Sequence, residues 1–170
     1  MMQYKFCPKC GGELEEFLDH DIKRLRCTKC GFVFYQKAYP TASALIIQDG
    51  KVLLGKRLKD PFKGMWDVLG GFMESGEHPE EAVKREMLEE TGLEIVDLEL
   101  MAILTDKYEY QEMVYDTLNF FYICKAKSGT PKAADDVTEL KWFPINDLPK
   151  DIAFKNGREA LEILKQKLKV

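Results

Sequence analysis

One short stretch of this chain is crowded with glutamates, among them Glu77, Glu86, Glu89 and Glu90, with Arg85 between them and glycines at both ends. Read as a helix from His78 to Thr91, the stretch puts Glu86, Glu89 and Glu90 within one sector of roughly 100°. Like charges at these spacings repel and weaken a helix by roughly a few tenths of a kcal/mol per pair. Three carboxylates kept on one face suit a hard divalent cation such as Mg²⁺, which takes oxygen ligands and keeps waters for substrate phosphates. A solvated charged face would explain the charge, but neither the bracketing glycines nor the register.

The spacing resembles the Nudix box. Gly71 is followed after five residues by Glu77, and seven more lead to Arg85-Glu86, apolar Met87, Glu89-Glu90, Gly92 and apolar Leu93. The resemblance implies that Glu86, Glu89 and Glu90 coordinate Mg²⁺ or Mn²⁺, with the Gly71 carbonyl as a further ligand. Arg85 would then hold the carboxylates by charge-assisted hydrogen bonds, and Glu77 would support the cluster. Water would attack phosphorus and split a nucleoside diphosphate linked to another moiety. In Nudix enzymes the general base is a box glutamate or an acid outside the box. The outside candidates are Glu109, Glu112, Asp135, Asp136 and Glu139, and the sequence names no single one. Related sequences often reach the box through Trp-x-Leu-Pro-Gly-Gly, where this chain has Trp66-Asp67-Val68-Leu69-Gly70-Gly71. The missing proline loosens a turn but removes no ligand.

Four of the five cysteines form Cys7-Pro-Lys-Cys10 and Cys27-Thr-Lys-Cys30, two CxxC pairs sixteen residues apart. That spacing fits a four-thiolate Zn²⁺ ribbon, with disulfides or redox pairs as the competing reading. So few residues, with a polar run from Glu13 to Arg26, could hardly fold around an apolar core, and a metal would supply the stabilisation. Cys124 lies alone in an apolar run and reads as a buried small side chain. A ribbon ahead of a Nudix domain resembles the layout of NADH pyrophosphatases. Those enzymes carry an SQPWPFP-like segment after the box, and none follows Leu93 here. Specificity for NADH therefore does not carry over.

Elements must position these groups. Thr41–Gln48 and Lys51–Arg57 read as strands joined by Asp49-Gly50, a type I′ hairpin signal. Trp66–Leu69 reads as a short strand entering the glycine turn. The box helix has Pro79 in its first turn and ends near Gly92. Its apolar Ala82, Val83, Met87 and Leu88 spread around it, which suggests packing on more than one side. Leu93–Thr105, Val114–Lys125 and Thr138–Phe143 are further strands, the second apolar on both faces and so expected in a sheet covered on both sides. A C-terminal amphipathic helix is expected to be capped by Asn156, with Glu159 three residues on and Ala160, Leu161, Leu164 and Leu168 on its apolar face. The expectation is an α/β/α sandwich with a mixed sheet over residues 37–170, preceded by a zinc ribbon over 1–36.

A hydrophobic fraction of 45% allows a sizeable core, and a formal net charge of −4 argues against a chain that binds nucleic acid throughout. The N-terminus lacks the apolar run of a signal peptide and no stretch is long enough to span a membrane, so a cytoplasmic protein is expected. Arg57, Phe62, Trp66, Tyr108 and Tyr110 supply cations and flat rings that suit phosphates or a base, and equally suit core or surface. The substrate class expected is a small nucleotide: ADP-ribose, a dinucleotide or a nucleoside triphosphate. The rival is a nucleotide-sensing module whose ribbon binds nucleic acid or protein, since Lys5, Lys9, Lys23, Arg24, Arg26 and Lys29 make that segment basic. Glu13, Glu15, Glu16, Asp19 and Asp21 offset this. An isomerase of the isopentenyl diphosphate type, which needs a loop cysteine, is disfavoured by the strand position of Cys124. A homodimer is left open.

Overall fold

A computed structural model describes residues 4–169. The polar run that gave no strand signal folds as a hairpin, β1 (Leu14–Asp19) against β2 (Ile22–Cys27), with β3 (Val33–Phe34) completing a three-stranded antiparallel sheet. Its charges are cross-strand partners: Arg26 meets Glu15 at 3.1 Å and Arg24 meets Asp19 at 2.7 Å. Such pairs replace the apolar alternation that normally marks a strand. The sulfurs of Cys7, Cys10, Cys27 and Cys30 lie within 4.8 Å of one another beneath this sheet.

The larger sheet is mixed. Its order is β10 (Val137–Pro144), β5 (Lys51–Arg57), β4 (Tyr39–Gln48), β9 (Met113–Ala126) and β8 (Ile95–Tyr110), with β4 and β9 parallel and the other pairs antiparallel. Asp49 and Gly50 both take positive φ, as the type I′ turn requires. Trp66–Leu69 is not one strand: β6 (Trp66–Asp67) pairs with β5, and β7 (Leu69–Phe72) pairs with β4. β8 runs five residues past the expected Thr105 and joins β9 through Gln111-Glu112, both at positive φ. A tight turn without glycine left no punctuation to read.

The strands bury both faces. Ala42, Ala44 and Ile46 of β4, with Tyr122 and Cys124 of β9, meet α1 (Pro79–Thr91), while Leu45 and Phe121 meet α2 (Lys155–Leu168). The result is an α/β/α sandwich. In α1 the inward face carries Ala82, Val83 and Met87, but Leu88 is exposed, so the helix packs on one side only. His78 caps it by accepting from Glu80 N–H, Glu81 in turn accepts from His78 N–H, and Gly92 ends it at φ 70°.

Asn156 does not cap α2. The helix starts at Lys155 after Phe154, whose side chain makes no capping bond, and Asn156 is drawn inward and buried. Asp106, reaching across from β8, accepts from Asn156 N–H at 2.9 Å. A tertiary carboxylate thus replaces the local cap. Leu168, expected on the apolar face, is exposed at the frayed end.

Candidate metal and pyrophosphate site

The glycines after β6 let strand and helix approach until carboxylates touch backbone. Gly70 N–H donates to Glu90 Oε2 at 2.9 Å. A Cβ on Gly71 would lie 2.6 Å from Glu86 Oε1, so that carboxylate rests directly against the strand. Pairing of β7 with β4 at Ala42 and Ser43 fixes the strand, and burial of Ala82, Val83 and Met87 fixes the helix.

Arg85 gathers the remaining acids. Its Nε and Nη2 donate to the two oxygens of Glu77 at 2.9 and 3.0 Å. Its Nη1 donates to Glu86 at 2.7 Å and to Glu89 at 3.0 Å, and Nη2 also reaches the Phe72 carbonyl. Glu77 accepts a further bond from Glu74 N–H. These bonds, led by those from Arg85, hold the Glu77 carboxyl down at about 2.

Glu86 and Glu90 behave oppositely. Burial pushes Glu86 up, with Arg85 pulling against it. Burial pushes Glu90 well above the usual carboxylate range, and the charges of Asp136 and Glu86 push the same way. Two inward carboxylates are thus disfavoured as anions by burial, Glu86 paired with Arg85 and Glu90 bonded to Gly70 N–H. Carboxylate oxygens beside the Gly71 strand are the donor chemistry that a hard metal ion takes.

Of the five outside acids, Asp136 alone acts electrostatically on Glu86, Glu90 and Asp67 among the described residues. Its loop is tied to the helix end by Ala134 N–H donating to the Glu90 carbonyl. Glu139 instead pairs with Lys56 at 3.3 Å, and Glu109 and Glu112 are exposed at the β8–β9 tip.

The five candidate recognition residues divide. Trp66 is core, edge-on to Phe143 at 4.8 Å. Arg57 faces the cavity beside the glycines, bonded to Asp67 at 3.0 Å and lying over the Phe154 ring at 4.8 Å. Tyr108 stacks on Phe154 with centroids 5.8 Å apart, and Phe62 meets Phe154 edge-on. Tyr110 is exposed and tilted against Tyr108 at 6.1 Å. Burial lifts Asp67 to about 6 despite Arg57. Asp67, Asp106, Phe154 and the polar strand residues Thr41, Ser43, Thr117 and Asn119 were not among the sequence candidates, yet all line this cavity. Their only signal was polar residues at inward positions of otherwise apolar strands.

A model of the NUDIX domain matches residues 38–163. The chain belongs to the Nudix family. A second model, the zinc ribbon described as Nudix N-terminal, matches residues 5–36 of this Nudix chain. The ADP-ribose pyrophosphatase of Methanocaldococcus jannaschii is 36% identical over 147 residues, covering 86% of this chain and 81% of that one. The NAD-capped RNA hydrolase NudC of Vibrio atlanticus is 28% identical over 150 residues, covering 88% of this chain but 52% of the relative. The chain therefore spans about half the length of that relative. The crystal structure of a NUDIX hydrolase from Nitrosomonas europaea superposes with a TM-score of 0.79 at 26% identity, covering 97% of this chain and 93% of that one. Among the described residues no helix is long and apolar enough to cross a membrane.

Proposed function

We propose that this Nudix chain hydrolyses the pyrophosphate bond of a nucleoside diphosphate derivative, with ADP-ribose the first substrate to test. The observation that carries the reading is the pair of buried carboxylates, Glu86 and Glu90, pressed against the Gly70–Gly71 strand, with Arg85 joining Glu86 to Glu77 and Glu89. The choice of ADP-ribose is supported by the Methanocaldococcus relative, which is similar along most of both chains.

Glu86, Glu89, Glu90 and the Gly71 carbonyl would hold Mg²⁺ or Mn²⁺. Such an ion, when bound, neutralises phosphate charge and lowers the pKa of a bound water. Arg85 and Glu77 keep the carboxylates at fixed spacing, so little reorganisation is needed when substrate arrives. Asp136, the acid whose charge bears on Glu86 and Glu90, takes the proton of the attacking water at its carboxylate oxygen. Arg57, held by Asp67, faces the phosphates as a fixed cation. In the ribbon, Cys7, Cys10, Cys27 and Cys30 would hold Zn²⁺, which would supply structural stabilisation there. The ribbon occupies 1–36 and the hydrolase domain 37–170.

Purified protein with Mg²⁺ and a panel of ADP-ribose, dinucleotides and nucleoside triphosphates tests this by product identification. Cleavage of at least one at the pyrophosphate is expected, lost in a Glu89→Gln, Glu90→Gln double variant. Release no greater than in that variant across the whole panel would overturn the proposal.

A further inference from the structure

The α2 face of the central strands changes character along its length. Towards one end it is apolar, with Leu45, Phe121 and Leu54 buried against Leu161 and Leu164. Towards the other, four inward positions on the parallel strands β4 and β9 are Thr41, Ser43, Thr117 and Asn119, all buried. α2 begins too late to cover them, and a cavity of about 140 Å³, open at its mouth, stands over them instead.

Two of the four each carry a polar atom without a partner. Asn119 donates from Nδ2 to Ser43 Oγ at 3.1 Å, which turns the carboxamide so that Oδ1 is left without a donor. Thr41 Oγ1 likewise has no partner, although Thr41 is 9% and Asn119 8% exposed. Register sets these two directly side by side, Thr41 against Asn119. Buried polar atoms are nearly always hydrogen-bonded in native proteins, so an adjacent unpaired pair at the bottom of a cavity points to a ligand that supplies the missing bonds.

The same cavity opens onto Gly70, Gly71 and Phe72, beside the carboxylates, and its wall carries the Tyr108 and Phe154 rings. A molecule with its diphosphate at the carboxylates would thus extend a flat group past the rings to the polar floor. The free amide oxygen accepts hydrogen bonds and repels acceptors; the hydroxyl can do either. We propose that Thr41 and Asn119 form a base-recognition floor, with Asn119 Oδ1 accepting from an amino group on the nucleobase edge. This inference rests on the reading of the site as a nucleotide pyrophosphate centre and adds which part of the nucleotide is read and by which atoms. A ribose hydroxyl could also donate, but flat rings flanking the floor favour a base.

The test compares ADP-ribose with its inosine counterpart, in which a carbonyl replaces the 6-amino group, and with 2′-deoxy and 3′-deoxy forms of the adenosine ribose, all at saturating Mg²⁺. Wild-type protein is expected to favour ADP-ribose over the inosine form at least tenfold in kcat/KM. Asn119→Leu should erase that preference, chiefly through KM, and Thr41→Val should weaken it, whereas Asn119→Asp, which keeps an acceptor, should retain it. A merely structural effect would move melting temperature and both substrates together without changing their ratio. Binding of AMP without metal, followed by calorimetry, gives a second readout and should weaken at least tenfold in Asn119→Leu. Equal kcat/KM for the two bases in wild type, or a preference that follows a ribose hydroxyl, overturns the floor while leaving hydrolysis standing. Absence of any hydrolysis, with Asn119-dependent AMP binding intact, overturns the hydrolase reading and leaves the floor. Absence of both hydrolysis and AMP binding overturns both.

Discussion

Two adjacent glycines carry opposite burdens, and replacing each by alanine separates the requirements of folding from those of chemistry. On Gly70 a Cβ would stand 2.2 Å from the Ala42 carbonyl oxygen and 2.6 Å from Ser43 Cα, both backbone atoms of the paired strand, at φ +138°. Neither atom can move without breaking β4 from β7. Overpacking a rigid contact costs about 1–3 kcal/mol and the strained backbone about 1–3 kcal/mol more, a large share of a domain's stability of about 5–15 kcal/mol. At roughly 2–4 °C per kcal/mol for a chain of this size, Gly70→Ala should melt about 10 °C below wild type. On Gly71 the three nearest atoms all belong to the Glu86 carboxylate, at 2.6 to 2.9 Å. That side chain can swing aside for about 1 kcal/mol of rotamer strain, so Gly71→Ala should melt close to wild type. Swinging aside moves the carboxylate by about 1 Å out of the Arg85 clasp, and displacement of that size costs about 100-fold in turnover. Thermal unfolding followed by circular dichroism, with kcat on ADP-ribose and Mg²⁺, reads both. Wild-type turnover in Gly71→Ala would refute the placement of Glu86 as ligand, and a wild-type melting temperature in Gly70→Ala would refute the packing argument.

Asp67 supplies a pH prediction. Its folded value of about 6 lies above the ordinary 3.8, so between those values the folded chain holds a proton that the unfolded chain releases. The group therefore favours folding fully below pH 4, and that contribution is lost as pH rises through 6, by on the order of 3 kcal/mol. Urea unfolding of metal-free wild type and Asp67→Asn at pH 4 and pH 7 should show wild type losing ground at the higher pH; a difference that is the same at both would discard this. For the ribbon, chelation should release one zinc per chain and unfold β1 to β3, read by metal analysis and by amide exchange over residues 5–36. Full protection of that segment in zinc-free protein would count against a structural metal.

The sequence by itself determined the carboxylate-bearing face. Glu86, Glu89 and Glu90 share a helix face because helical periodicity is local, and Pro79 and Gly92 bound that helix by local rules. The apolar runs of β4 and β9 likewise announced a sheet covered on both faces, and the CxxC spacing announced the thiolate cluster. The β1–β2 hairpin was hidden because its alternation is one of charge, and the β8–β9 turn because it lacks glycine. The helix cap moved from Asn156 to Asp106, fifty positions away, because a buried N–H takes the acceptor that packing brings to it. Only tertiary structure decided which outside acid faces the carboxylates, since Asp136 and Glu139 are both acids three positions apart, one just before β10 and one inside it, paired with Lys56. It alone, too, brought Thr41 beside Asn119. A parallel pairing joins residues far apart in the chain, and nothing in either strand records its partner. The box residues lie within one helix and its turn and could be read in order. The residues of the polar floor come from strands that meet only when the sheet closes.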